Sequence, residues 1–292
     1  MTRTPPADVR RALRREVGFV CPVPGCTNPY LTWHHFDPPW RVREHHEPGG
    51  LIALCKDHHS QADEGAFTID QLRQLKRDGL ANAGSEAIKE IFNWRRQRLL
   101  AIVGGNFILD CLQLFWYRSE PCMWLTRDDE NLLSLNVRMP TISAEPRMQI
   151  ESNCWICAGF PHDLECSPGG NSLRVRYTND DDLAVKFSNC ENPDHFRKKF
   201  PAAQPGMIAE LPFPLTSVEI AGRVGGTGLR YSSAAVQYGK NSQIQSNFIA
   251  ETPFPALTII HPEDQLSPLI RGVIKFMLLP PVPPIRLSSD IE

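Results

Sequence analysis

The stretch Cys21–Asp63, CPVPGCTNPYLTWHHFDPPWRVREHHEPGGLIALCKDHHSQAD, decides how the first part of the chain folds. Four residues separate Cys21 from Cys26. Cys55 opens a C-x2-H-H run with His58 and His59, and six of the nine histidines fall between positions 34 and 59. Thiolate and imidazole are the ligands zinc prefers, and a structural zinc site closes with four of them in a tetrahedron. Cys21, Cys26, Cys55 and His58 supply such a set, since C-x2-H matches the usual gap between paired ligands. Buried free cysteines are the plain alternative. Three of them at ligand spacing beside a histidine cluster point instead to a metal.

That set leaves His34, His35 and His59 over. The order is a cysteine pair, then His34-His35-Phe36-Asp37-Pro38, then Leu51–Leu54 running into Cys55 and His58-His59. It resembles the HNH nucleases, whose ββα-metal fold pins a two-stranded ribbon against a helix with a zinc knot. The resemblance implies His35 as the general base that takes a proton from an attacking water. It also implies His34 and His59 as ligands of a second, catalytic divalent ion, Mg²⁺, Mn²⁺, Ni²⁺ or Zn²⁺. Imidazole suits proton transfer near neutrality, and a divalent ion stabilises charge on a phosphate and its leaving oxygen. Neighbours such as His58 and His59 can serve two metals because successive helical residues point about 100° apart. One position departs from the family. Gly50 stands where an Asn usually precedes the second strand, which leaves His45, His46 or Glu47 to support the loop behind the base. In a regular strand His34 and His35 face opposite sides, so a shared site requires a bend before Pro38 and Pro39.

Outward from this core, Val9, Leu13 and Val17 recur every four residues and predict a helix over 5–17. Its Arg10, Arg11, Arg14 and Arg15 point off the apolar stripe, toward phosphate or solvent. Thr68–Gln71 has the form of a capping box opening a second helix that ends at Gly79. A third helix is expected from Ser85 to Leu100, where Arg95, Arg96 and Arg98 are candidate nucleic-acid contacts beside Trp94. A solvated helix face is the plainer account of those arginines. From Phe107 onward, short alternating runs such as Leu132–Val137, Leu173–Tyr177 and Val218–Val224 predict strands in a sandwich or a stacked solenoid. Cys154-Trp155-Ile156-Cys157, Cys166 and Cys190 fit core cysteines of that β part better than a second zinc site. The tail LLPPVPPIRL (278–287) carries too many prolines for a central strand.

Charge and composition narrow the classes. Residues 1–100 hold 15 Lys and Arg against 12 Asp and Glu, whereas the remainder holds 16 against 21. No apolar run approaches the ~20 residues that span a bilayer, and the start lacks the apolar core of a secretory signal. Nine cysteines, several at metal spacing, fit a reducing cytoplasm better than a disulfide framework. The expected class is α+β: a zinc-stabilised ββα-metal domain at 1–82, a helical connector at 83–104, and a β-rich domain at 105–292. The expected activity is metal-dependent hydrolysis of phosphodiester bonds in nucleic acid, DNA ahead of RNA. The β-rich part is left for target recognition, homo-oligomer contacts or regulation. The rival is a non-catalytic zinc module that positions the β-rich part on a partner.

Overall fold

The computed structural model describes residues 2–83, 87–239, 242–244 and 247–259. Helices and short strands come first, and a mostly β region follows. Helix α1 (Ala7–Glu16) starts behind Pro5 and Pro6, where a missing N–H costs nothing, and buries Leu13. Strands β1 (Leu31–His35) and β2 (Leu51–Cys55) pair antiparallel, with His34 opposite Ile52 and His35 opposite Leu51. Helix α2 (Lys56–Asp63) leaves β2 directly, and α3 (Ile69–Asn82) opens on the expected capping box of Thr68 and Gln71. Gly79 does not end α3. It lies inside the helix because a Cβ there would come within 2.9 Å of the Val17 backbone, so glycine permits the close approach of α1. Leu13, Val17, Leu31, Leu51, Ile52 and Leu54 form the core of this part.

The connector corrects the sequence-based expectation. No helix runs through residues 87–100; Ile88–Ile91 instead form strand β3, and Leu100–Val103 form β4. Ser85 itself lies outside the described residues. The i, i+3 spacing of Ile88 and Ile91 mimics a helix, but β3 completes a sheet edge on Cys154–Cys157. Phe92 and Trp94 then pack their rings on Phe187, at 5.2 and 5.5 Å between centroids. Sheet pairing and burial override a weak local preference here.

The other strands follow in order: β5 (Asn106–Leu109), β6 (Gln113–Tyr117), β7 (Glu120–Arg127), β8 (Leu133–Arg138), β9 (Gln149–Glu151) and β10 (Cys154–Cys157). Next come β11 (Asp163–Cys166), β12 (Ser172–Arg176), β13 (Asp182–Cys190), β14 (Leu215–Val224) and β15 (Leu229–Tyr231). The last are β16 (Val236–Tyr238), β17 (Ser242–Ile244), β18 (Phe248–Ala250) and β19 (Leu257–Ile259). One sheet runs β19-β6-β7-β8-β9-β10-β3 and the other β11 through β17 in sequence order, with β4 joining on β14. Both sheets contribute to one core, from Phe115, Leu125 and Leu135 on one side to Val175, Phe187 and Ile220 on the other. That is a sandwich rather than a solenoid. Cys157, Cys166 and Cys190 are buried core cysteines, while Cys154 is exposed. The proline-rich 278–287 segment lies outside the described residues. Among the described residues no helix is long and apolar enough to cross a membrane.

Of the α1 arginines, Arg10, Arg11 and Arg14 pair with acids of β11, whereas Arg15 is exposed. Arg14 is buried and pairs with the buried Asp163 of β11 at 2.9 Å; Arg11 and Arg176 reach the same carboxylate. Arg10 pairs with Glu165. Burial alone would raise the Asp163 pKa, but the charge of Arg14 and the hydrogen bonds from Arg176 and Arg14 outweigh it and hold the group below its ordinary value. A depressed carboxylate contributes stability above its unfolded pKa of about 3.9, and loses it only as pH falls through the lower folded value. The clamp therefore persists through mild acid. Asp163→Ala strands Arg14 as a buried, unmatched charge, and is expected to cost about 3–5 kcal/mol. A fall in Tm, with faster proteolysis between the two parts of the chain, is the expected readout; an unchanged Tm would remove the clamp from the account.

Candidate metal centre and active site

Cys21, Cys26, Cys55 and His58 converge, with one ligand atom from each lying within 4.8 Å of the others. The Cys26 and Cys55 sulfurs are 4.0 Å apart, and His58 Nδ1 is 3.3 Å from Cys21 Sγ and 3.1 Å from Cys55 Sγ. Zn–S bonds of about 2.3 Å place tetrahedral sulfurs roughly 3.8 Å apart, so these residues fit the ion. Burial pushes the Cys21 thiol up to about 12 and raises Cys26 as well. A bound cation reverses that preference, because a coordinating thiol is deprotonated outright. The chain thus carries a Cys₃His cluster suited to structural zinc, built by the loop after α1, the end of β2 and the first turn of α2.

Beside it, on the opposite side of the His58-His59 step, a second group forms from His34, His59 and Asp63. His34 Nδ1 lies 3.2 Å from one Asp63 oxygen and His59 Nε2 lies 3.6 Å from the other. Both nitrogens are buried, and Asp63 is the acid that each of them faces. The Thr32 hydroxyl donates its single proton to Leu54 O at 3.0 Å, so at 2.8 Å it accepts from His59 Nδ1–H. That fixes the tautomer and leaves the His59 Nε2 lone pair toward Asp63, the usual outer support of a ligating imidazole. Burial, ahead of the His34–His59 repulsion and against the attraction of Asp63, lowers the His34 pKa; burial likewise lowers His59. Neutral imidazoles and a carboxylate are the donors a divalent cation takes.

His35 closes β1, and its side chain packs edge-on against Trp40 at 4.7 Å and His45 at 5.4 Å. Both of its ring nitrogens are buried without a partner. Burial, then His45, Arg3 and His46, push its pKa down to about 4, which keeps the ring neutral at pH 7. His34 and His35 nevertheless line one cavity of about 470 Å³, with Arg3, Trp40, Arg41 and Asp63. The bend required by their alternation is the turn after His35, closed by a bridge between Phe36 and Pro39.

The question left at Gly50 has a geometric answer. A Cβ at that position would meet Asp37 O at 2.1 Å and His45 Cε1 at 2.6 Å. Gly50 O accepts from Phe36 N–H and Asp37 N–H, and the buried His45 ring occupies the space beside it. His45 Nδ1 accepts from Glu47 N–H, so Nε2 carries the proton and donates to Pro38 O at 2.9 Å. His45 is thus the residue that braces the loop behind His35, and it needs glycine at 50. His46 stacks on Trp40 instead.

Asp63 and Thr32 went unnoticed in the sequence. Asp63 had a signal, because it lies four residues after His59 on a helix and so shares its face; Thr32 had none. Arg95, Arg96 and Arg98 do not share a helix face. Arg95 pairs with Asp128, Arg98 with Asp110, and Arg96 donates to Thr216 Oγ1 while lying over the Trp94 ring. No protein-family description, curated protein or solved structure matches the chain.

Proposed function

We propose that the chain is a divalent-metal-dependent nuclease of the HNH type, hydrolysing phosphodiester bonds in DNA. The observation that carries this is the grouping of His34, His59 and Asp63 at the edge of a cleft that His34, His35 and Asp63 line, beside a complete Cys₃His cluster. A divalent cation held by His34, His59 and Asp63 would supply charge stabilisation to the scissile phosphate and leaving oxygen. His35, kept neutral by burial, takes the proton of the attacking water on a ring nitrogen. Trp40 and His45 hold that ring against rotation. Arg3 and Arg41 in the wall of the cleft offer guanidinium forks to phosphate oxygens.

A non-catalytic zinc module is the second reading. It draws on the Cys₃His set itself, which is closed at four ligands as structural sites are. Incubation of the purified full chain with plasmid DNA and with RNA, under Mg²⁺, Mn²⁺, Ni²⁺, Zn²⁺ or no added metal, separates the readings. Metal-dependent DNA cleavage is expected. Cleavage of RNA alone would change the substrate, and no cleavage under any metal would leave the zinc module.

Division of labour between neighbours adds a sharper check. His59→Ala and Asp63→Ala are expected to keep the fold and about one zinc per chain while losing cleavage. His58→Ala is expected to lose zinc and solubility. The reverse pattern would mean that the two histidines are exchanged.

A further inference from the structure

Several features of the β region have no part in the proposed chemistry. Among them is a charged depression of about 470 Å³ lined by Arg174, Arg176, Arg223 and Arg230. It does not stand alone. The catalytic cleft shares Arg3 and Asp63 with a depression of about 300 Å³ over Thr32 and Trp33. That one shares Thr32 and Trp33 with a third, of about 420 Å³, lined also by Arg10, Lys186 and Arg174. Arg174 in turn lines the fourth. Successive depressions thus share side chains from the cleft, across the outer side of β1, to the far strands of the sandwich.

The arginines at the sandwich end of this path differ in how they are neutralised. Asp163 is taken by Arg11, Arg14 and Arg176; Asp182 accepts from Arg174; Asp181 is held by Thr141, Asn179, Arg147 and the Gly225 N–H. Arg223 and Arg230 are left. They sit directly opposite each other on β14 and β15, a like-charge pairing that works against the sheet. The nearest acid to Arg223 is the exposed Asp180 at 3.7 Å, and Arg230 has no ion pair among the described residues. Two adjacent guanidiniums, one with a single exposed partner and the other with no ion pair among the described residues, are suited to phosphates.

We propose that substrate nucleic acid runs along this path, with its backbone leaving the cleft over Thr32 and Trp33 and ending on Arg223 and Arg230. The proposal rests on the nuclease reading for its starting point, and gives the β region the task of gripping DNA away from the cut. A small phosphate-bearing ligand would need only the last depression; the shared side chains that lead back to the cleft favour a polymer. Half-buried Trp33 offers a ring face at the midpoint, with the Arg14 guanidinium 5.8 Å from its centroid.

The test is a titration of labelled duplex onto the zinc-loaded full chain without added second metal, over a range of salt. Two duplexes are used, one of roughly 8 base pairs that covers the cleft and one of roughly 30 that can reach the arginine pair. In Arg223→Gln/Arg230→Gln, binding of the long duplex is expected to fall about tenfold or more. The slope of log affinity against log salt should shrink by about 1.8, the loss of two phosphate contacts. The short duplex and the Tm should not change, and Arg223→Lys/Arg230→Lys should restore the slope. Unchanged affinity and slope for the long duplex overturn the proposal. So does a parent chain that binds a mononucleotide through this pair while binding both duplexes alike. A parent that cuts DNA but shows no effect of the pair sinks the path and leaves the nuclease. A parent that cuts nothing yet loses long-duplex binding with the pair sinks the nuclease and leaves a DNA-binding surface.

Discussion

Cys55→Ser is expected to unfold the N-terminal part of the chain, as is Cys21→Ser. The ribbon and its helices bury only a small core around Leu13, Leu31, Leu51 and Leu54, and folds of that size need a staple. Structural zinc contributes about 10–16 kcal/mol of apparent binding free energy in small modules, and most of it is folding free energy. With serine at either position the tetrahedron loses one of its three thiolates, and three donors no longer close the site. Zinc content by elemental analysis and thermal unfolding are the measurements. Loss of the ion is expected, together with a transition for residues 2–83 that comes before that of the sandwich. The Arg14–Asp163 clamp cannot prevent this, because it holds α1 and not the ribbon. A variant that keeps one zinc per chain and the parent Tm would show that these sulfurs do not ligate.

His35→Ala is expected to spare fold, zinc and DNA affinity while slowing cleavage by about 10²–10⁴-fold, the usual share of a general base. His35 touches Trp40 and His45 through its ring faces, and no side-chain polar group depends on it for a partner. Burial already keeps the ring neutral at pH 7, and the parent gains nothing from this group as pH rises. The variant should gain, because hydroxide takes the place of the base. Single-turnover cleavage measured against pH, beside anisotropy for binding, separates the chemical step from affinity. A variant that cuts as fast as the parent under every metal would place the base elsewhere.

Much of the candidate site was legible because its chemistry is local. Cys21, Cys26, Cys55 and His58 announce a tetrahedral site by residue type and spacing, and their ligand atoms do converge. The same holds for the capping box at Thr68, where two side chains act within one turn. Legibility fails where a residue's role depends on what another part of the chain brings to it. Arg10, Arg11 and Arg14 look solvated until β11 delivers Asp163 and Glu165. The run Ile88–Ile91 has helical spacing until the free edge of β10 recruits it.

Gly50 marks the boundary between the two cases. By sequence it is a missing asparagine; in the fold it is the space that admits the His45 ring beside Asp37 O. The sequence by itself determined the Cys₃His cluster, the α+β order and the strand-rich character of the second part, since each follows from short-range spacing and residue chemistry. Only the tertiary structure decided that Asp63 and Thr32 gather with His34 and His59, that His45 braces the loop, and that α1 is bolted to the sandwich. Those assignments depend on which buried polar atoms find partners across long sequence separations, and no local period encodes that.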